Sequence, residues 1–273
     1  SNKNIIFYNN FNYQELPDTK ILTLSKKKNL YLITPGVEFF SPNIKKLKSG
    51  ENALRKTDFR WINFLRKNPK KIISFPNWID NSEFKKISFK NKKYDFSILG
   101  INYIARVKFY NFIKKKSYKY ITQFFSYKFL LFLNRYIKSK NIIYFLREIF
   151  SKKISQSVFS FSCGSKLKIL VRKFLEIPAF GSCLIADPFY GHENFGFIHK
   201  KNFIDVNKIY KTKNIESIFH KKLYKKITIE GQNLIKKKHS VNARRNQLTD
   251  VLKLINQQKF KGSYWSKGKF LFR

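Results

Sequence analysis

The sequence predicts an α/β protein whose main unit, residues 93–258, is a Rossmann-like, doubly wound parallel sheet. Apolar runs of strand length alternate with helical stretches from Tyr94 onward, which is the pattern of a parallel sheet with crossover helices. The first of these strands ends at Gly100 and leads directly into a helical stretch, as the first unit of a doubly wound fold does. The 273 residues are 43% apolar and 18% aromatic, so a folded core is expected despite a net charge of +41.

Residues 1–92 are predicted to form a small N-terminal α/β part that is reduced or incomplete. Apolar runs at Asn4–Tyr8, Asn29–Thr34 and Lys71–Phe75 have strand length. Asn52–Asn68 carries apolar residues near helical spacing, and a polar stretch over Asn81–Lys93 marks the boundary. Because this part is short for a complete domain and the chain does not begin with Met, we expect either a fragment or a reduced domain.

The elements of the main unit are predicted in order from apolar periodicity, length and flanking turn residues. The predicted strands are Tyr94–Gly100, Gln156–Ser162 and Ser182–Ala186, and the predicted helices are Tyr103–Lys115, Tyr127–Ile137, Ile142–Phe150, Leu167–Ile177, Asn214–His220, Lys221–Lys237 and Ser240–Gln258. Residues 259–273 are predicted to be a C-terminal tail.

The charge balance leaves the class of partner open. The chain has 57 basic and 16 acidic residues, and the basic residues are spread over its whole length rather than gathered in a tail. Only ten of them are arginines, which supply most bidentate contacts to phosphates and bases, so nucleic acid is not the expected partner. A solvated surface explains the lysines. The alternative is an anionic partner, either a lipid, a nucleotide-linked substrate or a phosphorylated acceptor.

Cysteine and histidine usage argues against a disulfide framework and a metal site. Cys163 and Cys183 lie in no C-x-x-C motif, the four His lack metal-ligand spacing, and no D-x-D motif is present. We therefore expect a cytoplasmic protein without a cofactor or a bound metal. No apolar run approaches about 18 residues, so a membrane contact would be peripheral, at the inner face. The basic, aromatic stretch Lys108–Phe150 is the candidate for contact with an anionic membrane, and a core role for its aromatics is the alternative.

The most informative block is the run 171–188, V-R-K-F-L-E-I-P-A-F-G-S-C-L-I-A-D-P, which contains the pattern R-x-x-x-E-x-x-A-x-G. A carboxylate at Glu176, projecting from a helix beside a crevice, can accept hydrogen bonds from both hydroxyls of a ribose. Gly181 allows a sharp turn from the helix into the following apolar strand. An ordinary amphipathic helix with a glycine at its end is the alternative explanation of the same residues.

This block resembles the donor-binding half of GT-B-fold glycosyltransferases of the group 1 family, in particular its spore-maturation-type members. Further segments resemble that family in the same order, namely Tyr94–Gly100 with Arg106, Phe195–Phe197, Asn202–Val206 and His239–Leu248. The resemblance spans about residues 94–255. Related retaining enzymes often carry a second Glu eight positions before the first, where this chain has Lys168.

The resemblance implies a hexosyltransferase-like, metal-independent enzyme of cell-surface polysaccharide biosynthesis. It would transfer a sugar from a nucleotide diphosphate-sugar, which is a substrate and not a cofactor, to a polysaccharide, lipid or protein acceptor. The donor-binding residues it implies are Glu176 at the ribose, Arg172 either at the diphosphate or paired with Glu176, Gly181 at the turn, and Arg106 and Gly100 at the phosphates.

Two questions stay open at this level. Glu38 and Asp58 are the acidic candidates for a catalytic base, but the pattern assigns that role to neither. A basic, non-enzymatic nucleic-acid-binding protein of the ribosomal type is the alternative function, since it would also explain the charge and the aromatics. The strand and helix order with its Glu-Ala-Gly helix favours the glycosyltransferase.

Overall fold

The computed structural model describes residues 5–8, 29–34, 65–90, 92–122, 129, 132–133, 136–137, 139–165, 168–212 and 215–273. The strands are β1 Ile5–Tyr8, β2 Leu30–Thr34, β3 Ile72–Ser74, β4 Tyr94–Ile98, β5 Tyr120–Thr122, β6 Ser157–Cys163, β7 Cys183–Asp187, β8 Ile204–Asp205, β9 Ser263–Ser266 and β10 Lys269–Phe272. The helices are α1 Ile104–Lys114, α2 Lys140–Ser155, α3 Lys173–Ala179, α4 Val206–Thr212, α5 Lys221–Lys238 and α6 Val241–Asn256.

The main unit is a five-stranded sheet with the order β5-β4-β6-β7-β8, and every neighbouring pair is parallel. The chain moves outward from β4 to β5, returns across the sheet to β6, and then continues in the opposite direction. This reversal between β4 and β6 defines a doubly wound sheet. The predicted fold class, a Rossmann-like doubly wound parallel sheet after a small N-terminal α/β part, is confirmed.

Two apolar clusters cover the two faces of this sheet. On one face, α1 and α4 pack against β4 and β6 through Phe96, Phe109 and Phe161, with the rings of Phe109 and Phe161 stacked at 4.5 Å between centroids. On the other face, α3 and α5 pack against β7 through Phe174 and Leu184. Because side chains of a strand alternate between faces, the sheet is buried on both sides.

Several predicted boundaries were wrong. Helix α3 begins at Lys173 rather than at residue 167, because Lys168 has a left-handed φ of 53° and no helix passes through that conformation. Strand β5 and helix α4 were not predicted, since each is short and neither is bounded by Gly or Pro. The predicted helix Asn214–His220 is a 3₁₀ turn over Glu216–Phe219 within the described residues. Most of the helix predicted over Asn52–Asn68 lies outside the described residues.

A second, three-stranded parallel sheet has the order β1-β2-β3, and residues 259–273, predicted as a tail, form the antiparallel hairpin β9-β10 beside it. Ser263 Oγ accepts a hydrogen bond from the Ser74 amide at 2.9 Å, and Trp265 Nε1 donates to the Ser74 carbonyl at 2.9 Å. Gly262 has φ of 100°, and a Cβ at this position would collide with the Pro69 carbonyl. The hairpin is therefore packed closely against β3.

The division of the chain into the parts 1–92, 93–258 and 259–273 stays a prediction.

A buried arginine joins the connector before the main sheet to the end of α5 and the start of α6. Arg244 donates from Nη1 to the Lys238 carbonyl at 2.8 Å, from Nε to the Pro76 carbonyl at 3.3 Å, and from Nη2 to His239 Nδ1 at 3.0 Å. The guanidinium also lies over the ring of Trp265, 5.1 Å from its centroid. Burial lowers the pKa of Arg244 to about 9. The partners of Arg244 are neutral polar groups rather than a carboxylate. The position of its guanidinium therefore depends on several hydrogen bonds at once.

His239 is held neutral inside this cluster. Its Nε2 lies 2.9 Å from the Phe195 carbonyl, which only accepts hydrogen bonds, so Nε2 carries the proton and Nδ1 accepts from Arg244. Burial lowers the pKa of His239 to about 3, and the charge of Arg244 adds to this effect. The ring stacks on Trp265 at 5.1 Å between centroids.

The His239 environment predicts an acid-sensitive fold. The unfolded chain binds a proton at this histidine below about pH 6.5, whereas the folded protein does so only near pH 3, so acidification between these values favours unfolding. We expect His239 to contribute a loss of up to about 1.4 kcal/mol per pH unit in that window. Urea unfolding of wild type and of His239→Gln from pH 7 to pH 4 measures this contribution as the difference in slope. His220→Gln, at an exposed position, is the control and should keep the wild-type slope.

Candidate functional site

The candidate site lies at the carboxyl edge of the five-stranded sheet, between β4 and β6. These are the two strands at which the winding direction reverses, and β4 is followed there by Leu99 and Gly100 while β6 is followed by Gly164. Connections from adjacent strands diverge to opposite faces at such a point and leave a crevice. The first turns of α1 and α3 both start from this edge of the sheet.

Two basic side chains meet over the Gly100 turn. Lys173, the first residue of α3, donates from Nζ to the Leu99 carbonyl at 3.0 Å. Arg106, in the first turn of α1, donates to the Ile101 carbonyl, and a Cβ at Gly100 would lie 3.3 Å from its Nη1 and too close to Lys173 Nζ. A Cβ here would require the flexible end of Lys173 to move, and the φ of 116° at Gly100 is one that other residues rarely adopt.

The positive charges of this pair are only partly balanced, because Glu176 is near Lys173 but forms its ion pair with Arg172. Within the described residues, neither Arg106 nor Lys173 forms an ion pair, and Arg106 Nε is buried without a hydrogen-bond partner. Burial lowers the pKa of Lys173 to about 8, and the charge of Arg106 lowers it further while that of Glu176 opposes the shift. Burial also lowers the pKa of Arg106. An anion at Gly100 would bring negative charge next to Arg106 Nη1 and Lys173 Nζ, the basic atoms nearest to this turn.

Glu176 lies one turn into α3 and belongs to a paired network. Its Oε1 accepts from Arg172 Nε at 2.9 Å, while Arg172 Nη2 reaches both carboxylate oxygens of Glu83 at 2.5 and 2.7 Å. Arg147 adds a second cation to Glu83 at 2.9 Å. Burial raises the pKa of Glu176, and the charges of Arg172 and Lys173 oppose that shift. Glu176 is thus a largely buried carboxylate held in one orientation.

Two clefts open on either side of the loop that carries Gly100. One has a volume of about 300 Å³ and is bordered by Gly100, Arg106 and Thr122. The other has about 650 Å³ and extends past Asp187 and Tyr210 toward α4. Asn102 borders both clefts, so they adjoin at the start of α1. Their combined space suits a ligand larger than a single phosphate.

The structure brings four of the five residues predicted for the site to one region. Gly100 and Arg106 line the smaller cleft, and Arg172 and Glu176 pair with each other near Lys173. Gly181 is not among them. It precedes β7 and so lies at the amino edge of the sheet, where a Cβ would lie 3.3 Å from the Ile87 Cα. The prediction that Gly181 borders the crevice is therefore corrected. Its φ of 76° provides the predicted turn.

Sequence analysis missed Lys173, Glu83 and the ion pair of Lys168 with Asp187. Lys173 follows Arg172 directly, and its position became informative only once α3 was known to begin there. Glu83 closes a capping box with Asp80, a signal present in the sequence D-N-S-E. Lys168 binds Asp187 at the border of the larger cleft. Glu38 and Asp58 lie outside the described residues.

The part of the chain that the structure describes contains neither a metal-binding cluster nor a helix suited to span a membrane. No cluster of three or more His, Cys, Asp or Glu side chains in this part of the chain is arranged to hold a metal ion. Among its helices, none combines the length and the apolar character that crossing a membrane requires.

Comparison with known proteins supports the fold through structure alone. No family model matches the chain, and no curated protein sequence matches it. A glycosyltransferase from Rickettsia africae ESF-5 superimposes with a TM-score of 0.51 at 11% identity, over 94% of this chain and 72% of that one. TarM superimposes with a TM-score of 0.51 at 11% identity, over 87% of this chain and 53% of TarM. The similarity confirms a fold of the GT-B type, while membership of the spore-maturation-type group stays a prediction.

The charge of Lys173 at the Gly100 turn is not fully balanced. We therefore expect that removing this charge stabilises the ligand-free protein. Lys173→Met keeps the apolar stem and deletes the ammonium, so we expect the free energy of unfolding at pH 7 to rise by about 1 to 3 kcal/mol. Because the pKa of Lys173 is about 8 in the folded protein and 10.5 in the unfolded chain, wild-type stability should gain a contribution as pH rises from 8 to 10.5, and the variant should lack it. Denaturant unfolding at pH 7 and pH 10 measures both effects.

The matched control is Lys253→Met, which removes a lysine exposed on α6. It should leave both the stability at pH 7 and the pH profile close to wild type. A destabilised Lys173→Met protein would contradict an unbalanced charge at this position.

Proposed function

We propose that this chain is a glycosyltransferase that binds a nucleotide diphosphate-sugar at the carboxyl edge of the five-stranded sheet. It transfers the sugar to a glycan, lipid-linked or protein acceptor. The observation that carries the proposal is the pair of cations without an ion-pair partner among the described residues, Arg106 and Lys173, at the Gly100 turn. A diphosphate would bring two negative charges next to the buried Arg106 and the half-buried Lys173.

In this proposal, different residues around the Gly100 turn bind different parts of the donor. Gly100 lets the phosphates approach the backbone, and Arg106 and Lys173 neutralise them. Glu176, one turn further along α3, accepts hydrogen bonds from hydroxyls of the ribose or of the sugar. Arg172 acts as a positioning residue, since it holds Glu176 from one side and is itself held by Glu83. The larger cleft beside Asp187 offers room for the nucleoside.

Fold similarity gives this proposal its reaction class. One protein of similar fold is named as a glycosyltransferase, and a crevice at the reversal point of a doubly wound sheet is the place where such folds bind nucleotides. A nucleic-acid-binding protein of the ribosomal type has no need of an enclosed cation pair behind a glycine, because phosphates of a polymer are reached from exposed side chains. The geometry therefore favours a small anionic ligand.

Donor binding tests the assignment of Glu176. Glu176→Gln keeps the size of the side chain and removes its charge, so a hydrogen bond from a ligand hydroxyl loses its charge assistance. We expect the affinity for the preferred nucleotide among UDP, GDP, ADP and CMP to fall by about ten- to a hundredfold. Isothermal titration calorimetry with each nucleotide measures this change, and a thermal shift of wild type identifies the preferred base.

Glu216→Gln is the matched control, because Glu216 is an exposed carboxylate bound to Lys116 near the end of α1, at the opposite edge of the sheet. It should bind the nucleotide as wild type does. Equal affinity of the two variants would contradict the role of Glu176. Binding of single-stranded RNA with no binding of any nucleotide would contradict the function as a whole.

The cation pair also predicts how donor binding responds to chelators. If Arg106 and Lys173 supply the positive charge at the diphosphate, nucleotide affinity should stay unchanged when EDTA replaces Mg²⁺ in the titration. A loss of about tenfold or more on adding EDTA would show that a divalent ion shares this role. Lys173→Met, titrated in parallel, should bind at least about tenfold more weakly than wild type in either buffer.

A further inference from the structure

Large apolar side chains are exposed together at the start of α2. Tyr144 and Phe145 are 70% and 55% exposed, and Ile143 beside them is 44% exposed. Leu146 and Ile154 of the same helix are buried, and Ile154 belongs to the apolar cluster on one face of the main sheet. The amino-terminal half of α2 therefore carries large apolar side chains that lie in solvent.

The exposed apolar surface continues on the amino-terminal side of α2. Tyr136 is 72% exposed and Ile137 is 61% exposed, and the ring of Tyr136 lies 5.0 Å from that of Phe132 in a T-shaped arrangement. We define Tyr136, Ile137, Ile143, Tyr144 and Phe145 as the α2 patch. Five large exposed apolar side chains within ten residues exceed the scattered exposure that is normal at a protein surface.

Basic residues surround the patch in the sequence. Residues 123–155 contain seven basic side chains and one acidic side chain. Lys140 lies between the two halves of the patch and is exposed. The one acid, Glu148, comes after the patch and lies 3.6 Å from Lys85. The sequence around the patch is thus basic, and Lys140 adds an exposed positive charge between its apolar side chains.

We propose that the α2 patch inserts into the surface of an anionic lipid bilayer, with Lys140 and its basic neighbours at the headgroups. Aromatic and aliphatic side chains next to lysines are the composition of helices that lie in a membrane interface, where tyrosine is enriched. A second copy of the chain is a poorer occupant, because each copy carries a net charge of +41. A neutral protein partner would gain nothing from the surrounding lysines.

The patch adjoins the charged network of the site. Tyr144 and Arg147 border a cleft of about 270 Å³ whose other side includes Glu83, the residue that binds Arg172. A bilayer in contact with the α2 patch would therefore lie beside this cleft. The proposal goes beyond donor binding and does not depend on it, because lipid contact and nucleotide contact use different residues.

Co-sedimentation of the full chain with vesicles tests the proposal. Phosphatidylcholine vesicles with phosphatidylglycerol should bind the protein, and vesicles of phosphatidylcholine alone should leave it in the supernatant. Binding should weaken as salt is added. The double variant Tyr144→Ser/Phe145→Ser should bind at least about tenfold more weakly, since two interfacial aromatics are lost. Lys140→Glu should weaken binding by about fivefold or more.

Matched controls use the same substitutions at exposed positions elsewhere. Ile229→Ser/Leu252→Ser changes apolar residues that are 43% and 40% exposed on α5 and α6, and Lys253→Glu reverses an exposed charge on α6. Both control variants should leave vesicle binding at the wild-type level. Equal recovery with neutral and anionic vesicles, or equal binding of patch and control variants, would overturn the proposal. A wild-type dimer that the Tyr144→Ser/Phe145→Ser change converts to a monomer in light scattering would overturn it too, because a second copy would then cover the patch.

Discussion

The organisation of the site depends on two positive charges at the end of β4, the buried Arg106 and the half-buried Lys173, which form no ion pair within the described residues. A buried ammonium or guanidinium is costly unless a partner compensates it, and here carbonyl oxygens of Leu99 and Ile101 do so only in part. The arrangement persists because α1 and α3 both start at this edge and are fixed by the aromatic core behind them. Gly100 is the position at which the two side chains can converge.

The neighbouring charges at the start of α3 are instead compensated by one another. Glu83, Arg172 and Glu176 compensate one another through short hydrogen bonds, so this group is complete without a ligand. The carboxylate of Glu176 is thus held in one orientation, whereas the charges of Arg106 and Lys173 are compensated only in part. Under the proposed function, an anion would be attracted to the Gly100 turn and Glu176 would orient the neutral part of the same molecule.

Sequence patterns predicted the features that depend on local physics. The strand, glycine and helix at Tyr94–Lys115 were recognisable because each element has its own periodicity, and the pairing of Arg172 with Glu176 follows from their spacing on a helix. Lys173 was missed because its role depends on where α3 begins, which the left-handed Lys168 decides. Gly181 was misplaced since a residue that precedes a parallel strand lies at the edge opposite to the site. The hairpin at residues 263–272 was missed although Lys267-Gly268 is a turn signal between two aromatic runs.

The position of that hairpin has a consequence for how the chain folds. The hydrogen bonds of Ser74 with Ser263 and Trp265 join residues 189 and 191 positions apart, and Val251, Ile255 and Phe260 cover the same small sheet. Contacts of such high sequence separation form late, because a long loop must close before they contribute any stability. During synthesis the face of the small sheet that these residues contact therefore stays exposed until residue 272 has left the ribosome, while the five-stranded sheet can already assemble. Strands β1 to β3 are made before the five-stranded sheet, but this face of them is buried after it.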